Sequence, residues 1–272
     1  MSRVSEGLVR AGIALVGLVF VIPFVLMLMT SFRRSADVIV EPLNPFAGEL
    51  TLDNYVTVWE QTPVLLYYAN SVITTVLIVA LQMVTSVAAA YALGHLRPWG
   101  TRTIRAVIVA VLSVPFPAIA ITNYLNLASV GLVDTRAALV LPFVASAFGV
   151  FLLTQYVEAV PQRQLDAAVV FGLGPWARFR AVVLPSIRPG IAAFVAFSFV
   201  GWWNEFFWPF VALRSDALAT VPFLVRHFEI SPNGLPDWGP LMAASTISLL
   251  PVAALLVLLQ RSFARTMQFS TR

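Results

Sequence analysis

Six stretches of the chain are apolar and almost free of charge: 11–31, 70–93, 106–125, 137–157, 190–213 and 240–260. Each has at least 20 residues, and a helix rising 1.5 Å per residue needs about that many to cross a hydrocarbon core of ~30 Å. The pattern predicts an all-α fold, a polytopic membrane helical bundle of six transmembrane helices in a single domain, 1–272. The first run exceeds the roughly 7–15 residue core of a cleaved signal peptide and no small-residue cleavage site ends it, so it reads as a retained span. Pro23 inside it is tolerable, because neighbouring helices satisfy the carbonyl it frees. Pro115 and Pro117 fall in the middle of the third span and predict a kink, either lining a pathway or serving packing.

The polar separators orient the spans. With the N-terminus inside, the inner segments hold Arg3, Arg10, Arg97, Arg102, Arg105, Arg163, Arg178, Arg180, Arg188, Arg261, Arg265 and Arg272. The outer ones hold Arg33, Arg34, Arg136, Arg214 and Arg226. Twelve against five, out of 17, places both termini in the cytoplasm. Trp59, Tyr67 and Tyr68 suit the headgroup level. Residues 160–185, between spans four and five, form the longest polar interruption of the second half and fall on the inner side. There Leu165–Phe171 carries helix formers between Pro161 and Gly172, which predicts a short helix stopped by glycine. Val182-Val183-Leu184-Pro185 begins the return to the membrane.

Composition narrows the function. Hydrophobic residues make up 59% and charged residues 11%, and mean hydropathy is +0.86, where soluble domains carry about 25% charge. The net charge of +4 is all arginine against carboxylate, with no lysine. Topology explains it without nucleic acid. Cysteine is absent, which excludes disulfides and thiolate metal sites, and His95 and His227 are too isolated for a metal centre. No G-x-x-x-x-G-K-[ST] loop occurs, so this chain holds no nucleotide cofactor of its own.

The 160–185 loop resembles the signature of bacterial ABC importer permeases: Glu-Ala-Ala, three residues, Gly, nine residues, Ile-x-Leu-Pro. Here it reads Asp166-Ala167-Ala168, Gly172, Val182-Val183-Leu184-Pro185, with the spacing intact. Ser31-Phe32-Arg33, Asn54-Tyr55, Asn70-Ser71, Gly131–Thr135 and Leu141-Pro142 are also similar to the family. Trp203-Asn204-Glu205-Phe206-Phe207-Trp208-Pro209 resembles a Trp-Asn-(Asp/Glu) stretch of its carbohydrate-uptake branch, the maltose G-type and glycerol-3-phosphate E-type permeases. The chain departs from that branch at Phe171-Gly172-Leu173, where relatives read Asp-Gly-Ala, and in its C-terminal residues. The resemblance implies a bacterial inner-membrane subunit that works with a second homologous permease, two ATP-binding-cassette ATPase subunits and an extracytoplasmic solute-binding protein. It implies that ATP and Mg are bound by the ATPases. It also makes the 160–185 segment a cytoplasmic coupling helix, with Leu165, Asp166, Ala167, Ala168, Gly172, Leu184 and Pro185 as its coupling residues.

A carboxylate within a span costs roughly 2.5–3.5 kcal/mol on insertion scales and so faces a bundle interior or a wet cavity. Glu205 is the one acid inside a predicted span, about 22 Å from its inner end. Asn204 and Glu205 are candidates for hydrogen bonds to sugar hydroxyls, with Trp202, Trp203 or Trp208 stacking on the ring and Asn123 on the pathway. A structural hydrogen bond is the equal alternative for Glu205. A glycerol-phosphate substrate, an ion-driven secondary transporter and a membrane scaffold remain as other readings, although one intramembrane acid is little for an ion relay.

Overall fold

A chain in hydrocarbon has no water to satisfy its backbone, so apolar runs of this length become helices. The structure, a computed structural model, describes residues 3–42, 44, 46–229 and 234–269, and side chains within 9–10 and 12–258. The inner-side arginines Arg3, Arg261, Arg265 and Arg272 lie outside the described side chains. In order, the helices are α1 (Arg3–Thr30), α2 (Ser35–Val40), α3 (Asp53–Gln61), α4 (Val64–Tyr91), α5 (Thr101–Leu112), α6 (Phe116–Ser129), α7 (Arg136–Val140) and α8 (Ala147–Glu158). They continue with α9 (Gln162–Val170), α10 (Pro175–Arg178), α11 (Leu184–Ser186), α12 (Arg188–Trp203), α13 (Phe207–Ala212), α14 (Pro222–Glu229) and α15 (Trp238–Phe269). π-helical turns at Ala92–Leu96 and Phe179–Val183 extend α4 and join α10 to α11.

Among the described residues, three helices are long and apolar enough to span a membrane unaided, and up to six spans result if each bent pair counts as one. The predicted third span, 106–125, is two helices, α5 and α6, meeting at 99°. Pro115 and Pro117 supply no N–H, and Pro115 takes an extended conformation at the corner, so a full break replaces the expected kink. The fourth bends by 42° before α8. The fifth starts earlier than predicted, through the bent pair Pro175–Ser186 and Arg188–Trp203, and its helix stops at Trp203 instead of running on to 213.

The chain groups into two compact units, Met1–Tyr67 with Val221–Ala254 and Tyr68–Thr220 with Leu255–Arg272. In the first, Ile13, Leu15, Leu18 and Phe20 of α1 are all more than half exposed. That helix depends on lipid or another subunit for cover. The same unit joins two family-like motifs into one device. Asn54 is buried and its Nδ2 donates to the carbonyls of Ser31 and Arg33, both at 2.8 Å. The Ser31 hydroxyl meets the Tyr55 hydroxyl at 2.7 Å. Arg33, fully buried, donates to the carbonyls of Ala47 (2.7 Å), Asp37 (3.0 Å) and Glu41 (3.1 Å), so a cation closes the C-terminal end of α2.

The second unit has two apolar cores. One joins Ile78, Leu127, Leu139, Phe143, Trp208 and Ala212. The other joins Ala90, Leu153, Val157, Leu165, Val183, Ile187 and Phe194. Gly149 lets α8 approach closely: a Cβ there would stand 2.4 Å from Ser86 Oγ and 2.6 Å from the Phe194 ring. Asn70 Nδ2 donates to Ala217 and Ala219 carbonyls at 3.0 Å, and Arg136 Nη2 donates to its Oδ1 at 3.2 Å. Asp134, in left-handed conformation at φ 61°, accepts at Oδ1 from the amides of Arg214 (3.1 Å) and Ser215 (3.2 Å) and from the Ser215 hydroxyl (3.1 Å).

Two outcomes follow. In Gly149→Ala, about 1 kcal/mol of helix propensity is gained, but overpacking against the buried Phe194 ring costs about 1–3 kcal/mol. The thermal midpoint in detergent therefore falls, by about 2–4 °C per kcal/mol lost, and a rise would refute the close approach. The Arg214 amide, with Ser215 and the Arg214 guanidinium, holds the Asp134 carboxyl below the usual carboxylate range despite some desolvation. A depressed pKa means stability present above the unfolded value of about 3.9 and lost as pH falls through the lower folded value. The midpoint advantage of the natural chain over Asp134→Asn is thus constant from about pH 8 to 5 and shrinks below about pH 4; a pH-independent difference would contradict the carboxylate's role.

Candidate coupling loop and pathway residues

The amphipathic period of α9 fixes which of its faces is available. Leu165 and Ala168, three residues apart, are buried, and Leu165 joins the core with Val183 and Ile187. Asp166 and Ala167 face outward. Asp166 Oδ1 accepts from Gln162 Nε2 at 3.0 Å, one turn earlier. The helix stops as the glycine predicted. Gly172 takes φ 76°, its amide donates to Val169 O at 2.9 Å, and the Leu173 amide donates to Ala168 O at 3.0 Å. This paired closure is the Schellman motif. A Cβ on Gly172 would meet nothing within 4 Å, so the glycine answers a conformational need and not a steric one.

Around the cap the loop presents an apolar tip. Val170 and Phe171 are 85% and 84% exposed, and Trp176 is 71% exposed. Contiguous exposed apolar side chains on an anchored helix mark an interaction surface. Sequence reasoning singled out Asp166, Ala167, Ala168 and Gly172 here and passed over Val170. The signal was present: Val169, Val170 and Phe171 are three consecutive apolar residues where the period of α9 calls for one. Leu184 and Pro185 are half-buried on the return towards α12, off the exposed tip.

The second site lies where α12 breaks. Asn204 is the exposed C-cap, and its Nδ2 donates to Val200 O at 2.8 Å. Glu205 is outside any helix, half-buried, and its Oε1 accepts from the Trp208 amide at 2.9 Å, so the carboxylate caps the start of α13. The indoles expected to face a sugar are inside the protein: Trp203 and Trp208 are each 1% exposed, and Trp208 Nε1 donates to Ala138 O at 3.0 Å. Trp202 Nε1 reaches Gln82 Oε1 at 3.2 Å. Glu205, Trp202, Trp208, Thr74 and Thr220 wall a cavity of about 10 Å³, room for about one water. The Thr74 and Thr220 hydroxyls are buried without a protein partner. Asn123 is half-buried on α6, and among the described residues no hydrogen bond links it to Asn204 or Glu205.

Comparison with known proteins places this geometry. Residues 82–269 match the family "Binding-protein-dependent transport system inner membrane component". The diacetylchitobiose uptake system permease protein NgcG of Streptomyces coelicolor is 31% identical over 93% of this chain and 84% of its own. The arabinooligosaccharides transport system permease protein AraQ of Halalkalibacterium halodurans is 27% identical over 96% and 94%. In fold, the chain is similar to a chain from the crystal structure of a bacterial ABC transporter involved in alginate import, with a TM-score of 0.79, 21% identity and coverage of 97% and 99%. The chain belongs to the binding-protein-dependent transport system inner membrane component family, as a multi-pass permease subunit of an ATP-binding-cassette importer.

Proposed function

We propose that the chain forms, with a second homologous permease, the pathway for a carbohydrate delivered by an extracytoplasmic binding protein, and that two ATPase subunits drive it through α9. The likeness to diacetylchitobiose and arabinooligosaccharide permeases supports a sugar. The observation that carries the coupling role is the division of α9 into two faces. Leu165 and Ala168 lock the helix to the α8–α12 core, while Ala167, Val170 and Phe171 stay free for a partner. A helix tied to the core on one face and to a moving partner on the other transmits motion as a rigid lever. ATP and Mg belong to the partner subunits, and both termini face the cytoplasm.

In this reading Asn204, exposed at the α12 break, is the residue that meets substrate. Glu205, Trp203 and Trp208 position it: the carboxylate holds α13 and the two indoles fill the core behind the break. Asn123 sits on the pathway from α6.

Phe171→Asp puts a charge on the tip without touching the core. The ATPase subunits that co-purify with the permeases, and sugar uptake by proteoliposomes, both fall at least about tenfold, the effect of losing ~1.4 kcal/mol at one hot-spot contact. Uptake that survives removal of every ATPase, driven by a proton gradient, would sink the importer reading. Binding of the cognate receptor protein to glycerol-3-phosphate but to no sugar in a panel would overturn the substrate class.

The break gives a second outcome. Glu205→Gln keeps an acceptor for the Trp208 amide and leaves uptake close to that of the natural chain, whereas Glu205→Ala loses a cap worth about 0.5–2 kcal/mol and lowers the thermal midpoint. Asn204→Ala raises the sugar concentration needed for half-maximal uptake while the midpoint stays put. Loss of uptake in Glu205→Gln with an unchanged midpoint would assign the carboxylate to the substrate instead.

A further inference from the structure

The arginine-rich end of the second unit contains a cleft the transport reading does not use. Its volume is about 670 Å³, and its walls come from α4, the two π-helical turns, α10 and α12. Met83, Val87, Leu96, Trp176 and Phe179 make it apolar, and Tyr91 brings the one hydroxyl. Aromatic rings build one wall: Tyr91 stacks on His95 at 5.2 Å and meets Phe179 at 4.9 Å, and Phe179 stacks on Trp176 at 5.3 Å. Trp99, fully exposed next to this end, suits the headgroup level.

Two donors there have no partner. Tyr91 Oη and Arg178 Nε are both buried and make no hydrogen bond. Buried donors are nearly always satisfied, so the Tyr91 hydroxyl on the cleft wall and the Arg178 Nε next to the lining Phe179 each call for an acceptor. Positive charge is in excess at this end. Arg97 and Arg178 both act electrostatically on His95. Arg97 shares Glu158 (3.6 Å) with Arg105 (2.6 Å), and among the described residues Arg178 has no carboxylate partner. Arg163, Arg180 and Arg188 add exposed positive charge in the same inner segment.

We propose that this cleft binds one anionic phospholipid. An acyl chain lies along Met83, Val87 and Phe179, and the phosphate sits at Arg178 and Arg97 with the Tyr91 hydroxyl donating to the phosphate or glycerol-ester oxygens. The cleft's lining is apolar apart from the orphaned Tyr91 hydroxyl, and Arg97 and Arg178 directly follow or precede the lining residues Leu96 and Phe179 in sequence. An apolar groove bordered by cations fits an amphiphile with a negative head. A basic pocket between helices at a membrane surface has this chemistry. The proposal depends on the chain lying in a bilayer and not on the direction or identity of the cargo.

The test uses the complex purified through this chain in micelles containing equal amounts of phosphatidylglycerol and phosphatidylcholine, with native mass spectrometry counting the lipid retained. The natural chain retains phosphatidylglycerol in preference to phosphatidylcholine. Arg178→Gln cuts that preference by about fivefold, one arginine's share of attraction to an anionic surface. Tyr91→Phe weakens retention of both lipids, because it removes only the hydroxyl, and Ala88→Trp, which fills the cleft, abolishes it. Thermal midpoints are recorded for each variant to confirm folding. Equal retention of the two lipids by the natural chain, or a preference unchanged in Arg178→Gln, would overturn the proposal. So would a photoreactive side chain at Val87 that couples to a second permease and not to lipid, since the cleft would then be a protein interface.

Discussion

Every break in a membrane helix frees backbone groups that hydrocarbon cannot hydrate, and this structure depends on side chains that satisfy them from within. The pattern recurs at several places where a span ends or is interrupted. Asn54 takes the carbonyls of Ser31 and Arg33 after α1, and Arg33 takes three more around α2. Thr85 Oγ1, on α4, reaches Val144 O at 2.8 Å, at the bend before α8. Asn204 and Glu205 serve the two sides of the break between α12 and α13. These side chains reach one to three backbone groups each and need no partner outside the chain. They are the side chains that make a broken span possible.

This constraint explains why the family-like motifs look polar but are not all functional in the chemical sense. Asn54, on α3, and Asn70, in the second turn of α4, bind carbonyls, so their residue type is dictated by the backbone they hold. Glu205 falls in the same class by geometry: its carboxylate faces an amide 2.9 Å away, not open solvent. Asn204 differs only in that its side chain leaves donor and acceptor capacity on an exposed surface. What distinguishes a cap from a binding residue is the capacity left over after the backbone has been served.

Apolar run length made the helical bundle and the positions of α1, α4 and α15 legible in the sequence, because hydrocarbon thickness and helical rise leave little freedom. The 99° corner between α5 and α6 was half legible: Pro115 and Pro117 announce a break, but its angle is set by packing of Phe116 against Phe143 and Trp208. The stop of α12 at Trp203 was not legible. Trp202 to Pro209 is apolar enough to continue a span; Pro209 disfavours a helix running through Glu205, and the contacts of Asn204 and Glu205 cap the break where it falls. The same holds for the tryptophans, which read equally well as sugar platforms or as core until burial decides.

Ala167 and Ala168 show why a spacing match names a helix before it names a surface. In sequence they are twins, two small residues beside an acid. On α9 successive residues point about 100° apart, so Ala168 faces the core with Leu165 while Ala167 faces out. The small size of Ala168 lets α9 lie close to its own support, and that of Ala167 lets something else lie close to α9. One alanine fixes the lever to the protein and the other offers it to a partner. The departure at Phe171 then acquires a physical meaning. A large apolar ring stands 84% exposed just before the Gly172 cap, and in the proposed coupling role the surface that receives it needs an apolar pocket at that point.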